Sequence, residues 1–163
     1  MSQTFPIRPA TAGDLSALDA LFARSYPRLL KADYAPSVLV TALPLISKAN
    51  PALLRTGTYY VAETDGALLA AGGWTPMSIP GHASIRHVVT DDRHLRRGIG
   101  RALLDHALGT AQLAGIRHLE CKSTFTAVPF YRALGFTELG AIEVTLAPGI
   151  TFPAVLMERA IAR

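Results

Sequence analysis

Apolar positions recur along this chain with two periods, and the switches between them lay out its elements. Leu15, Leu18, Leu21 and Phe22 share one face of a helix. Thr11-Ala12-Gly13-Asp14 just before them reads as a capping box with Asp in the usual Glu position. Ile99, Ala102, Leu103, Ala107, Ala111 and Ala114 make a stripe of small apolar residues, which predicts a helix over Gly98–Ala114 with Gly115 just past its end. A shorter helix is expected over Thr126–Leu134, stopped by Gly135. Strands are expected at Phe5–Arg8, Thr58–Glu63, Leu68–Trp74, Ser84–Thr90, Ile116–Lys122, Phe136–Leu146 and Ala154–Ile161. Asp65-Gly66 between two of them is a hairpin signal, Gly72-Gly73 permits a bulge or close approach, and Pro148-Gly149 turns the chain into the last strand. Tyr26–Arg55 is apolar, but Pro27, Pro36, Pro44 and Pro51 are expected to break it into short pieces that shape a pocket more than a core layer.

The order βα(α)βββαβαββ places the chain in the α/β (α+β) class, as a mixed sheet with helices on both faces. Strand 84–90, helix 98–114 and strand 116–122 should form a right-handed crossover joining two parallel strands. A length of 163 residues fits one domain spanning 1–163, with no repeat and no Gly/Ser linker. Half of the chain is apolar and mean hydropathy is +0.27, which excludes disorder. The longest apolar runs, near 37–46 and 66–74, are too short to cross a bilayer, so no membrane partner is expected. The N-terminal residues lack a secretory pattern, and the single Cys121 has no internal partner. Both features point to a cytoplasmic location.

Charge changes the picture at one place. The net charge is +4, and Arg86–Arg101 alone holds five arginines against two aspartates. Within it, Arg93-His94-Leu95-Arg96-Arg97-Gly98-Ile99-Gly100-Arg101 joins a strand to a helix. Glycines at a helix start let a ligand approach the backbone, where first-turn N–H groups lack partners and the helix dipole is positive. That makes an anion site, and the arginines suit phosphates. No Gly-Lys-Ser/Thr follows, and Leu103 replaces the last glycine of a dinucleotide fingerprint. The charge sits in one glycine turn without a basic recognition helix, which argues against a nucleic-acid partner.

Leu95-Arg96-Arg97-Gly98-Ile99-Gly100-Arg101 resembles the acetyl-CoA signature R/Q-x-x-G-x-G/A of the GNAT N-acetyltransferases. Phe130-Tyr131-Arg132-Ala133-Leu134-Gly135-Phe136 resembles that family's FYxxxGF hallmark, and Ile7-Arg8-Pro9-Ala10 with Asp14-Leu15 resembles its N-terminus. The resemblance spans nearly the whole chain and implies the GNAT fold, with a central sheet of about six or seven strands. Leu95 stands where the family has Arg or Gln. Thr90-Asp91-Asp92 replaces the usual V-x-P, and Thr126 aligns loosely with a family Asn. The implied activity is direct transfer of an acetyl group from acetyl-CoA to a small-molecule or peptide amine, with no metal and with a homodimer as a common family state.

The same resemblance implies the roles of individual residues. Backbone of the loop, Leu95, Arg96, Arg97, Gly98, Ile99, Gly100 and Arg101, would bind the pyrophosphate. Strand backbone at Val88, Val89 and Thr90 would bind the pantetheine and polarise the acetyl carbonyl. Thr126 belongs to the same implied cofactor set. Each well-aimed donor to the developing oxyanion is worth about 10²–10³ in rate. Tyr131 stands where the family keeps the acid that protonates the leaving thiolate; a merely packed aromatic is the alternative. His87 is the local candidate for the base, with His82 and Glu63 as lesser options and water as the alternative. The five histidines show no metal-ligand spacing. Cys121 reads as a buried, inert thiol, and Trp74 and Tyr26, Tyr34, Tyr59 and Tyr60 as pocket lining or core packing.

Overall fold

The computed structural model describes residues 5–95 and 97–162. Its strands are β1 (Ile7–Pro9), β2 (Tyr59–Thr64), β3 (Ala67–Pro76), β4 (His82–Thr90), β5 (His118–Ser123), β6 (Thr137–Ala147) and β7 (Ile150–Ala160). They form one seven-stranded sheet in the order β1-β2-β3-β4-β5-β7-β6, antiparallel throughout except for β4 with β5. The hairpin reading and the parallel pairing of the two strands flanking the long helix are met. Chain order did not anticipate that β7 inserts between β5 and β6.

Helices α1 (Leu15–Leu30) and α2 (Pro36–Ile46) cover one face. Leu18, Leu21, Phe22, Leu30, Leu39 and Ala42 bury there against Val61, Ala71, Val89 and Phe152. Helices α3 (Ile99–Leu113) and α4 (Val128–Ala133) cover the other, where Leu104, Ala107, Ala111 and Tyr131 meet Ala83, Leu119, Cys121 and Met157. The turn Ala12–Asp14 that leads into α1 is tied down by a capping box: Asp14 Oδ2 accepts the Thr11 N–H at 2.7 Å.

The expectation for Tyr26–Arg55 needs correction. α1 runs through Pro27 and α2 through Pro44, and Ala42 is fully buried, so this region is a core layer as well as a pocket wall. Pro36 sits at the first helical turn, where a missing N–H is harmless. Pro27 forfeits one bond near the end of α1, but the buried Tyr26 and Leu30 on either side hold that turn by packing.

Strands β3 and β4 approach their neighbours unusually closely at two glycines. Gly73 lies under Thr58: a Cβ there would collide with the Thr58 carbonyl oxygen. Replacing it by alanine must push two strands apart, so Gly73→Ala is expected to cost about 2 kcal/mol. Urea denaturation would measure this as a lower midpoint at unchanged slope. In β4 the register shifts between the Ala71–Val89 and Gly73–Arg86 pairs, leaving His87 and Val88 opposite Gly72 alone. His87 has φ +45°, a left-handed conformation rare for a non-glycine residue. This bulge reverses side-chain parity: Ala83 and Ile85 face α3, whereas Val89 beyond it faces α1. Gly72 makes room, since a Cβ on it would lie 2.8 Å from Val88 Cγ2.

Candidate active site

β4 and β5 pair only over His82–Ser84 and His118–Glu120. Beyond those residues the two strand edges face each other without ladder bonds, and a cavity of about 360 Å³ opens in the gap. It connects the α1–α2 side of the sheet (Tyr26, Leu29, Leu30) with the α4 side (Thr126, Phe130, Tyr131). Val88, Val89, Thr90, Leu95 and Thr126, expected at the cofactor, all line it, as do His87 and Tyr131.

The loop ahead of α3 is built on a buried carboxylate. Asp91 is 1% exposed and caps the turn Asp92–His94 by accepting the Arg93 N–H at 2.9 Å. Its oxygens also take Arg93 Nη2 at 3.0 Å and Arg24 Nη2 of α1 at 2.5 Å, while Arg28 pairs with Asp92 at 3.2 Å. Burial pushes the Asp91 carboxyl up, but hydrogen bonds from Arg93 and Arg24 outweigh it and hold the group well below the usual carboxylate range. Sequence reasoning missed the Arg24–Asp91 bond. Its partners stand 67 positions apart, and no local pattern marks it.

Gly98 then adopts φ +78° and α3 begins. The first helical bond runs from the Ala102 N–H to the Gly98 carbonyl, so Ile99, Gly100 and Arg101 have N–H groups without helical partners. Gly100 presses against the cavity wall: a Cβ there would lie 2.7 Å from Thr90 Oγ1 and 3.6 Å from the Phe130 ring. The Ile99 side chain is buried, leaving only its backbone to a ligand. Of the arginines, Arg86 bonds Thr75 of β3 and Arg93 is held by Asp91. Arg97 meets His94 at 2.7 Å, and Arg101 lies 3.9 Å from Asp105. Arg96 lies outside the described residues.

Inside the gap, Tyr131 is buried, and Cys121 of β5 lines the same cavity. Burial, then the Cys121 sulfur, pushes this phenol well above its ordinary value, so it keeps its proton at neutral pH. Burial likewise raises the Cys121 thiol to about 12, which makes it inert. The His87 ring packs against Phe22 and Tyr26 at centroid distances of 5.1 and 6.2 Å, on the α1 side. Burial, aided by Arg86, lowers its pKa to about 4, and its Nδ1 is buried without a hydrogen-bond partner. The hydroxyl of Tyr59 donates to the His87 carbonyl at 2.7 Å, steadying the bulge.

The lesser candidates fall elsewhere. Glu63 is bound to Arg8 at 2.6 Å on β2, and His82 packs against His118, rings tilted by 38°, where β4 and β5 are still paired. Tyr60 and Trp74 point to Thr110 of α3 rather than into the cavity. Tyr34 acts as a clip, stacked between Phe125 and Phe152 at 4.9 and 4.6 Å. Its hydroxyl donates to the Pro153 carbonyl and accepts the Phe125 N–H. Among the described residues no group of three His, Cys, Asp or Glu side chains could hold a metal, and no helix is long and apolar enough to cross a membrane.

Comparison with known proteins agrees with this architecture. A GCN5-related N-acetyltransferase from Rhodopseudomonas palustris superposes with a TM-score of 0.81 at 18% identity, covering 99% of this chain and 98% of its own. PaiA N-acetyltransferase from Thermoplasma acidophilum, solved with coenzyme A, gives 0.70 at 16% identity over 98% and 100%. The ribosomal-protein-S18-alanine N-acetyltransferase from Escherichia coli gives 0.67 at 17% over 98% and 96%. At such identities these likenesses speak for the fold alone. No curated protein matches the sequence. The family model for the acetyltransferase (GNAT) domain matches residues 55–138, just over half of the chain, and takes in β2 to α4 with the splayed strands and the glycine turn between them. By that match the chain belongs to the GNAT family of acetyltransferases.

Proposed function

We propose that this chain is a single-domain N-acetyltransferase that moves the acetyl group of acetyl-CoA directly to a primary amine. The observation that carries the reading is the wedge between β4 and β5, with the open start of α3 at one end and the protonated Tyr131 inside. The residues fit the co-substrate. The N–H groups of Ile99, Gly100 and Arg101 suit a pyrophosphate, and at position 100 only a glycine leaves Thr90 undisturbed. The unpaired edge of β4 at Val88–Thr90 suits an amide-bearing arm, which would continue the sheet as a further strand.

The bound thioester supplies the activated acetyl group. The chain's own residues aim it, exclude water and manage two protons. A β4 backbone N–H polarises the carbonyl oxygen as negative charge grows on it. Tyr131 gives its proton to the departing sulfur, and the buried, neutral His87 receives the proton lost by the attacking nitrogen. Direct transfer is favoured because Cys121, the one thiol in the cavity, is held protonated. The test is release of free thiol from acetyl-CoA across a broad amine panel, with CoA binding measured separately by calorimetry. Turnover with at least one amine is expected. CoA binding without thiol release from any amine would overturn the reading in favour of a binding module.

A further inference from the structure

The α1 side of the cavity has an unusual lining for a site that must take an amine. Leu29 and Leu30 of α1, Ile46 of α2, Val144 and Leu146 of β6 and Phe152 of β7 wall it. Among the described lining residues the one fixed charge is Lys122, whose side chain is exposed. No carboxylate is among them. Of the nearby acids, Asp91 is sealed between Arg24 and Arg93, while Asp33, which accepts the Thr126 hydroxyl at 2.7 Å, and Glu143 on β6 are exposed and are not part of this wall. A second ammonium buried against this wall would therefore lose its water and gain no counter-ion there. A carboxylate would find only the solvated Lys122.

Resting on the acetyl-transfer reading, we propose that the acceptor is an apolar monoamine: a primary amine on a hydrocarbon body that carries no second charge. Polyamines, aminoglycosides and lysine side chains of basic peptides are thereby excluded as good substrates. The apolar wall holds the body by burial, and the His87 ring and Tyr26, both lining the cavity, are the polar side chains that face the reacting nitrogen on this side. The His87 ring is neutral, so a neutral amine meets no repulsion from it.

The test uses three primary amines of nearly equal length. They are n-hexylamine, 1,5-diaminopentane, in which an ammonium replaces the terminal methyl, and 6-aminohexanoate, in which a carboxylate does. Even an added hydroxyl is rejected by a hydrophobic pocket by about 10²-fold, so kcat/KM for hexylamine should exceed that for the diamine by about 10²-fold or more. The deficit for 6-aminohexanoate should be smaller, and Lys122→Met should deepen it. Binding gives a second readout: N-hexylacetamide should bind the CoA-saturated protein more tightly than the acetylated diamine or acetylated amino acid. Leu29→Glu, a half-buried position facing the cavity, should shift preference toward the diamine by about tenfold, since each 1.4 kcal/mol is tenfold. If a charged analogue equals or betters hexylamine in turnover or product binding, the inference fails while the transferase reading stands. If no amine in the broad panel is acetylated, both fail together.

Discussion

Tyr131→Phe is expected to lower kcat by about 10²- to 10⁴-fold, the range for losing a positioned general acid. The affinity for CoA should stay unchanged. The ring fills a buried space between Phe130 and Phe136, at centroid distances of 5.3 and 5.4 Å, and phenylalanine keeps that packing. What disappears is one O–H beside Cys121, in a site where burial holds the phenol protonated. The departing sulfur then leaves as an unprotonated thiolate against a mostly apolar wall. The pH profile separates this role from a structural one. Wild-type kcat/KM should fall on the acid side as His87 protonates near 4, and that limb should persist in Tyr131→Phe but vanish in His87→Ala. A variant that retains full turnover, or that loses CoA binding in proportion, would show that Tyr131 is a packed aromatic.

What could be read from the sequence and what could not divide along physical lines. The glycine turn at Gly98–Gly100 and the Phe130–Phe136 segment were legible because each needs its residues only a few positions apart. The first demands a left-handed Gly98 and a side-chain-free Gly100, and the second a short helix ended by Gly135 at φ +89°. The parallel crossover came from element order. Hidden were the contacts between remote positions: Arg24 with Asp91, Tyr34 with Pro153, and Tyr59 with the His87 carbonyl. Strand alternation also misleads at His87. A bulge on a non-glycine residue leaves no compositional mark, yet it sets which face each later β4 side chain takes. Prolines misled in Tyr26–Arg55, where burial of Leu30, Leu39 and Ala42 outweighs the lost helix bond.

The Arg24–Asp91–Arg93 cluster joins fold to function, and its removal should show in both stability and affinity. Asp91→Ala takes away the cap of the turn before α3 and leaves two guanidinium groups facing a space that held a buried carboxylate. Breaking a buried pair costs about 3–5 kcal/mol, and the partial exposure of both arginines places this case at the lower end, about 3. For a domain of this size that is a fall in Tm of about 6–12 °C. Arg24→Met should cost less, because Arg93 still holds the carboxylate through side chain and backbone. The pH dependence has a definite sign. The folded-state pKa of Asp91 lies below its ordinary value of 3.8, so the stabilisation is fully present above that value. It is lost as pH falls toward the folded-state pKa. The Tm gap between wild type and Asp91→Ala should therefore be constant from pH 8 to about 5 and narrow below about 4. Because Asp91 sets where the chain enters the glycine turn, KM for acetyl-CoA should rise about tenfold, equivalent to about 1.4 kcal/mol of lost alignment. A Tm gap that persists undiminished at pH 3 would show that the charge on Asp91 does not carry the stabilisation. An unchanged KM would confine Asp91 to stability and leave the anion site to the backbone of α3 alone.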